Sequence, residues 1–186
     1  GYTQYEAWIE ATSWDFYTEL LRNYDLTGAT EWSYFWARRA SPEPPPELVW
    51  AATILPGYDG VQLPTVPTFA GSSPYVLYQV EIDYEVHNPL HVLPIIGAAP
   101  RYLIRAVKAI QRDAVTLNPY VTRERFPLIA KSGTAPVLQW AVYGLFPDAS
   151  IDVKAIRLSL VHTSAQNGQW LMDLIAQQRD STPQFR

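Results

Sequence analysis

Between Tyr75 and His87 the sequence alternates apolar and polar side chains almost without fault. One face carries Val76, Tyr78, Val80, Ile82, Tyr84 and Val86, and the other carries Leu77, Gln79, Glu81, Asp83, Glu85 and His87. Successive strand side chains point to opposite faces, so the pattern predicts a half-buried strand with an acidic outer face. A sheet with one wet side is typical of antiparallel sandwiches and barrels. The sequence therefore predicts a mainly β fold.

Composition narrows the function classes. The chain has 186 residues, which suits one domain or one domain with an extension. It has no Cys, which excludes disulfides, zinc–thiolate sites and Cys nucleophiles. No run of about 18 apolar residues is present, so we expect no bilayer-spanning helix. A start at Gly1 rather than Met suggests a processed product or a fragment.

The net charge of −4 hides an asymmetry between two parts of the chain. Residues 1–90 hold 3 Lys or Arg and 12 Asp or Glu, a net charge of −9. Residues 91–186 hold 11 and 6, a net charge of +5. We expect an acidic, strand-rich part over 1–90 and a basic part over 91–186, packed together as one unit. Such a split indicates two surfaces that pair with each other or face different partners.

Shorter patterns predict further elements. We expect helices over residues 4–24, 100–115 and 169–178, and strands over 31–38, 48–55 (buried), 137–144 and 151–161. The alternation of the last strand changes phase at Ala155-Ile156, which indicates a β-bulge.

The predicted helix over residues 100–115 carries the main functional hypothesis. An apolar stripe would be formed by Leu103, Val107, Ile110 and Ala114, and a basic stripe roughly opposite it by Arg101, Arg105, Lys108 and Arg112. Four cations on one face suit nucleic-acid phosphates or an anionic membrane. A merely solvated helix face is the competing interpretation.

The acidic face of the opening strand suggests weaker hypotheses. Alternate strand residues are about 6.5–7 Å apart, so Glu81, Asp83 and Glu85 are candidate ligands of Ca²⁺ or paired carboxylates for sugar hydrolysis. A solvated face is the interpretation that we prefer for these three carboxylates. Glu85 with His87 and His91 is a further metal candidate, although Pro89 prevents the helical geometry that would bring the two His together. We expect no catalytic residue and no cofactor.

Aromatic residues leave two other classes of function open. The tryptophans at positions 32, 36, 50 and 140 are either a sugar-stacking platform or core residues. A carbohydrate-binding module or glycan-active domain is therefore one alternative. An interaction domain of a phage or a secretion apparatus is the other.

The segment from Gly71 to Pro89 resembles the last strand of the jelly-roll shell domain in coat proteins of small icosahedral RNA viruses. The matching residues are the Gly/Ser loop, the alternating run from Tyr75 to His87, and the Asn88-Pro89 stop. In several such families an amphipathic helix follows the shell domain, as residues 101–115 would here. The resemblance implies an antiparallel sandwich of jelly-roll type with a few added helices. It also implies a structural, non-enzymatic protein of the virion that assembles with copies of itself and sibling coat subunits, around genomic RNA, with membrane contact during entry.

Two departures qualify the resemblance. A complete jelly roll needs eight strands, about 150 residues, before such a last strand, and only 74 residues precede this one. The chain would then be a fragment, or a sandwich that also uses the C-terminal strands. A basic N-terminal arm is also missing, since residues 1–47 are acidic.

Overall fold

The fold is mainly β. The computed structural model describes residues 13–30, 33–67, 74–87, 100–109, 114–143, 148–164 and 166–168. Strands hold 56% of these residues and helix holds 10%, and every strand pair is antiparallel. The predicted antiparallel, mainly β class is confirmed.

The described elements are one helix and ten strands, and residues 166–168 are also helical. The helix is α1 (Trp14–Asn23), and the strands are β1 (Tyr24–Ala29), β2 (Tyr34–Arg38), β3 (Glu47–Thr53), β4 (Gly60–Gln62), β5 (Tyr75–His87), β6 (Arg101–Val107), β7 (Val115–Leu117), β8 (Arg123–Lys131), β9 (Val137–Tyr143) and β10 (Ser150–Leu160).

Eight of the strands form two four-stranded sheets. The first sheet has the order β3-β10-β5-β8, and the second has the order β4-β9-β6-β7. The pairing is nested along the chain: β6 pairs with β7, β5 with β8, β4 with β9, and β3 with β10. The long strand β5 is thus the third of these eight strands, not the last as the resemblance implied, and five follow it.

The main core brings together the inward side chains of both sheets. Val80, Ile82 and Tyr84 of the first sheet and Ile104 and Leu138 of the second are at most 1% exposed. The alternation of β5 produces this burial directly, because every second side chain is turned toward the other sheet. Residues from both sides of position 90 therefore share one core.

A second, smaller core lies on the outer face of the first sheet. Trp14 and Leu21 of α1 pack against Leu77, Ile129 and Val161. Trp14 also donates its indole Nε1–H to Gln79 Oε1 at 3.1 Å. The outer face of β5 is therefore covered at one end rather than wet along its whole length.

Strands β1 and β2 form a separate two-stranded ribbon. A lone two-stranded hairpin is only marginally stable in water, so the ribbon needs contacts with the rest of the protein to stay folded. The buried Asn167 provides it: its Oδ1 accepts from Leu26 N at 2.9 Å, and its Nδ2 donates to Tyr24 O at 2.8 Å.

The predicted amphipathic helix over residues 100–115 is wrong. Arg101–Val107 is strand β6, hydrogen-bonded to β7 on one side and β9 on the other. Residues four apart share a face in a helix and in a strand, so the spacing of Arg101 and Arg105 fits both. Burial of Tyr102 and Ile104 between exposed arginines has the two-residue period of a strand.

The other predicted elements fare unevenly. The strands predicted over 31–38, 48–55, 137–144 and 151–161 correspond to β2, β3, β9 and β10. Strand β3 is mostly exposed, however, because it is an edge strand, so its predicted burial is wrong.

Strand β10 has a register shift between Val153 and Ala155, which confirms an irregularity beside the predicted bulge. Of the helix predicted over 4–24, α1 keeps Trp14–Asn23, and residues 4–12 lie outside the described residues, as does the predicted helix over 169–178.

Candidate functional site

Four strands end at the same end of the sandwich and continue from one sheet into the other. Strands β3, β5, β7 and β9 finish at this end, and each continues into a strand of the opposite sheet. Two of these connections, residues 54–59 and 118–122, are described in full. We call these two segments the loop end.

The loop end exposes large apolar side chains. Tyr120 is 77% exposed, Leu55 65%, Tyr58 61% and Val121 39%. The two loops lie at opposite edges of the sandwich, because one joins the edge strands β3 and β4 and the other joins the edge strands β7 and β8. Exposed aromatic and aliphatic side chains mark candidate interaction surfaces, since Tyr is enriched at interfaces. The loop end is therefore a candidate contact surface.

Hydrogen bonds hold the two loops to the sheets beneath them. Trp140 donates its Nε1–H to Tyr58 O at 3.0 Å, and Tyr84 donates its hydroxyl to Asn118 O at 2.7 Å. Asn118 Oδ1 in turn accepts from Tyr120 N at 3.0 Å. These bonds fix the backbone of the loops, which lowers the entropy lost on binding a partner.

The half-buried carboxyl of Glu124 contacts the 118–122 loop. Glu124 Oε1 accepts the backbone N–H of Asn118 at 3.1 Å, whereas its Oε2 is buried and has no hydrogen-bond partner among the described residues. Burial raises the pKa of the Glu124 carboxyl, although the Asn118 N–H and the Tyr84 hydroxyl oppose the shift. Burial also raises the pKa of the neighbouring Tyr84 hydroxyl. The protonated form of Glu124 therefore persists to a higher pH than in an exposed carboxyl.

The acidic face of β5 is neutralised by arginines from the two neighbouring strands. Glu81 lies directly opposite Arg125 of β8 and Arg157 of β10. Its Oε2 is 2.6 Å from Arg125 Nε and its Oε1 is 2.8 Å from Arg157 Nη1. Arg125 also reaches Asp15 of α1 at 3.2 Å. The carboxylate is only 14% exposed, so these pairs replace much of its hydration.

Asp83 is paired in the same way. Its Oδ1 is 2.5 Å from Arg123 Nε and its Oδ2 is 2.8 Å from Arg157 Nη1. The hydrogen bond from Arg123, followed by that from Arg157, holds the pKa of the Asp83 carboxyl below its ordinary value. We call Glu81 and Asp83 with these arginines the ion-pair ladder. It joins the acidic and basic parts of the chain within one molecule.

The candidate metal ligands Glu81, Asp83 and Glu85 are therefore not brought together as a site. Two of them are engaged by arginines, and Glu85 is 69% exposed and lies 3.3 Å from Lys154 Nζ. The described part of the chain holds no group of three His, Asp or Glu that could hold a metal ion. His87 is exposed at the end of β5, and His91 lies outside the described residues.

The predicted nucleic-acid or membrane contacts lie on a strand. Arg101 and Arg105 are exposed on the outer face of β6, in the second sheet, and Lys108 is exposed in the turn that follows. Arg105 donates both Nε–H and Nη2–H to Gln139 Oε1, at 3.2 and 2.9 Å. Arg112 lies outside the described residues. In place of the predicted basic stripe of four residues on a helix, the structure has two arginines on one face of a strand, with Lys108 in the turn after it.

The tryptophans do not form a sugar-stacking platform in the described residues. Trp140 is 4% exposed in the main core, Trp50 packs against the same core, and Trp36 packs against the smaller core beneath α1. Trp32 lies outside the described residues. Their interpretation as core residues fits these positions.

Comparison of the chain with protein-family models, curated proteins and solved structures gave no match. Within the described ranges, none of the helical residues forms a segment long and apolar enough to span a bilayer.

Sequence reasoning missed the arginines of the ladder and the aromatic residues of the loop end. A signal for the arginines was present: Arg123 and Arg125 alternate exactly as Glu81 and Asp83 do, which suits two neighbouring strands of opposite charge. The loop residues Tyr58 and Tyr120 follow Pro-Gly and Asn-Pro turn dipeptides, where an aromatic side chain is readily left in solvent.

Proposed function

We propose that this protein is a structural coat protein that assembles with copies of itself into a closed shell, as in small icosahedral RNA viruses. The observation that carries the proposal is the nested pairing of eight strands into two four-stranded sheets. The protein is then a component of the virion, with sibling coat subunits as partners and genomic RNA enclosed, and it has no enzymatic role.

The nested pairing supports a jelly roll in particular. Pairing first strand with last, second with seventh, third with sixth and fourth with fifth describes a ribbon folded in half at the β6–β7 turn. Rolling such a ribbon sends alternate strand pairs to alternate sheets, and this gives two sheets of four strands. Eight-stranded jelly rolls of this kind occur in viral capsid domains, in lectins and in cupins. The fold therefore supports the shell interpretation without selecting it alone.

The loop end favours assembly over the other roles of the fold. It presents Tyr58 and Tyr120 with Leu55 and Val121 on backbone that is already fixed by hydrogen bonds. Rigid, exposed aromatic side chains are the residues that dominate protein–protein contacts. The tryptophans that the sequence suggested as a glycan platform do not support that alternative, because Trp140 lies in the core and Trp50 packs against it.

The proposal is tested by electron microscopy and size-exclusion chromatography of the protein at rising concentration. The parent chain should form closed particles. The double variant Tyr58→Ser/Tyr120→Ser should keep its unfolding midpoint and lose particles, because both side chains are exposed. Phe16→Ser, which removes a 63% exposed aromatic from α1, is the matched control and should still assemble. A parent chain that stays monomeric, or a double variant that assembles normally, would overturn the role of the loop end.

A further inference from the structure

We propose that the outer face of the second sheet binds single-stranded nucleic acid, with Arg101 and Arg105 on phosphates and Tyr143 stacked on a base. The inference deepens the proposed function and rests on it for the identity of the partner. It concerns the face formed by the outward residues of β4, β6, β7 and β9, which we call the basic sheet face.

The first observation is the charge of this face. None of the four strands contains an Asp or a Glu, and Arg101 and Arg105 are their only charged residues. No ion pair with either arginine is present among the described residues, whereas the arginines of the ion-pair ladder each contact a carboxylate within 3 Å. The positive charge of β6 is therefore available to an anionic partner.

The second observation is that the arginines are suitably spaced and one is held in place. Arg101 and Arg105 are four residues apart on one strand, roughly 13 Å at the usual rise. One extended strand of nucleic acid lying along β6 spans that distance. The two hydrogen bonds to Gln139 hold the guanidinium of Arg105, and its Nη1 has no partner among the described residues. A guanidinium held in this way suits the oxygens of a phosphate.

The third observation is an exposed aromatic ring beside the first arginine. Tyr143 of β9 is paired with Arg101 in the register of the sheet and is 55% exposed. Side chains directly opposite one another in an antiparallel pair have Cβ atoms about 5 Å apart. The next outward residue of β9 is Ala141, which is exposed and small, so a base has room to lie against the ring.

These three observations select one class of anion. Cations combined with an exposed aromatic ring are the features by which proteins bind single strands, because unstacked bases lie on the ring and phosphates on the cations. A duplex keeps its bases paired and out of reach of Tyr143. Interfacial binding to anionic membranes typically uses an amphipathic helix, and β6 is a strand.

The test is fluorescence anisotropy with a short labelled oligouridylate, at protein concentrations below those at which particles form. The parent should bind, and Arg101→Glu/Arg105→Glu should bind roughly 100-fold more weakly, because two phosphate contacts become repulsions. The slope of log affinity against log salt should fall by about 1.4 for Arg101→Gln/Arg105→Gln, the expected change for two phosphate contacts to a single strand. This second variant also guards against misfolding of the Glu variant.

Matched control variants distinguish an effect of the basic sheet face from an effect of the protein's overall net charge. Arg38→Glu/Lys131→Glu makes the same change in charge at two exposed positions elsewhere and should bind much more tightly than the Arg101/Arg105 variant. Tyr143→Ala should weaken binding about 10-fold, and Tyr143→Phe should stay within about twofold of the parent, because Phe keeps the stacking surface.

Several results would overturn the inference. The first is a parent protein that does not bind the oligonucleotide, and the second is an equal loss of affinity in the two charge variants. The third is equal affinity for duplex RNA together with no effect of Tyr143→Ala. The fourth is binding to phosphatidylserine vesicles but not to the oligonucleotide. Particle formation is scored separately, without nucleic acid. A parent chain that binds the oligonucleotide but never assembles refutes the shell and leaves the basic sheet face standing.

Discussion

The two sheets of this protein carry charge on their outer faces in opposite ways. On the first sheet, Glu81 and Asp83 are flanked by arginines at 2.5–2.8 Å, and α1 covers the adjoining apolar end of the face. On the second sheet, Arg101 and Arg105 have no carboxylate on any of the four strands. Charge on the first sheet is paired within the fold, whereas the two arginines on the second sheet have no ion pair among the described residues.

The comparison also explains the asymmetry of the sequence. The acidic part of the chain supplies β5, and the basic part supplies β8 and β10 on either side of it. Three arginines of the basic part are used in the ion-pair ladder. A difference in net charge between two parts of a chain therefore does not indicate separate partners until the strand register is known. Opposite charges on adjacent strands can pair with each other within the fold.

The largest expected difference between the faces concerns apolar residues on the two outer surfaces. Leu77 is 8% exposed beneath α1, whereas Leu103 is half-buried on a face that none of the described elements covers. Leu77→Ala should lower the free energy of unfolding by about 2–4 kcal/mol, since it leaves a cavity under the helix. Leu103→Ala should lower it by about 1 kcal/mol. Urea unfolding measures both, and equal losses would mean that the second face is also covered.

The next prediction concerns the ion-pair ladder. Glu81→Gln should cost about 1–3 kcal/mol of stability, because Arg125 and Arg157 lose a charged partner that is mostly shielded from water. Glu85→Gln, at the 69% exposed end of the same face, is the matched control and should change stability by less than about 0.5 kcal/mol. If the two variants behave alike, the ladder is only a solvated surface.

The dependence of stability on pH should separate two carboxyls of the first sheet. The pKa of Asp83 is lowered in the fold, so its contribution is present above its unfolded pKa of about 3.9 and is lost as pH falls through the folded value. The pKa of Glu124 is raised, so its contribution is present below about pH 4.3 and is lost as pH rises through the folded value.

Two variants measure these opposite signs by denaturant titration across pH. Asp83→Asn should be less stable than the parent at neutral pH, and the difference should shrink in acid. Glu124→Gln should be more stable than the parent at neutral pH, because no buried charge forms, and the two should converge below about pH 4. A Glu124→Gln variant that is destabilised equally at every pH would show that the carboxyl is needed for its hydrogen bond alone.

The smallest expected effect concerns the basic sheet face. Arg101→Gln/Arg105→Gln should leave the free energy of unfolding within about 0.5 kcal/mol of the parent, since neither arginine has a carboxylate partner in the described part of the chain. Thermal or urea unfolding measures the difference. A loss above about 1 kcal/mol would assign these arginines a structural role and remove the contrast between the faces.

The sequence predicted long, regular elements and missed the short or interrupted ones. Strand β5 was predicted residue for residue, because thirteen alternating positions have no other interpretation. Strands β4 and β7 have three residues each, too few for a period to be read. Strand β8 contains Pro127 and a continuous buried run, which hide its alternation; Pro is tolerated there because β8 is an edge strand.

The candidate sites were predicted in part, for a related reason. Arg101 and Arg105 were singled out correctly as a shared face, but their spacing does not distinguish helix from strand. The partners of Glu81 lie 44 and 76 residues away along the chain. The local alternation therefore predicted solvated carboxylates, whereas the pairing of distant strands brings arginines beside them. Nothing in the sequence alone selects Tyr143 as a site residue, because its position beside Arg101 follows from the pairing of β6 with β9.

The most direct test of the central claim is the mass of the protein in solution, measured by sedimentation velocity as the concentration is raised. A shell protein should pass from the 21.1 kDa chain to one sharp, fast-sedimenting boundary that corresponds to closed particles of many copies. A single species of about 21 kDa at every concentration, with or without RNA, would contradict assembly.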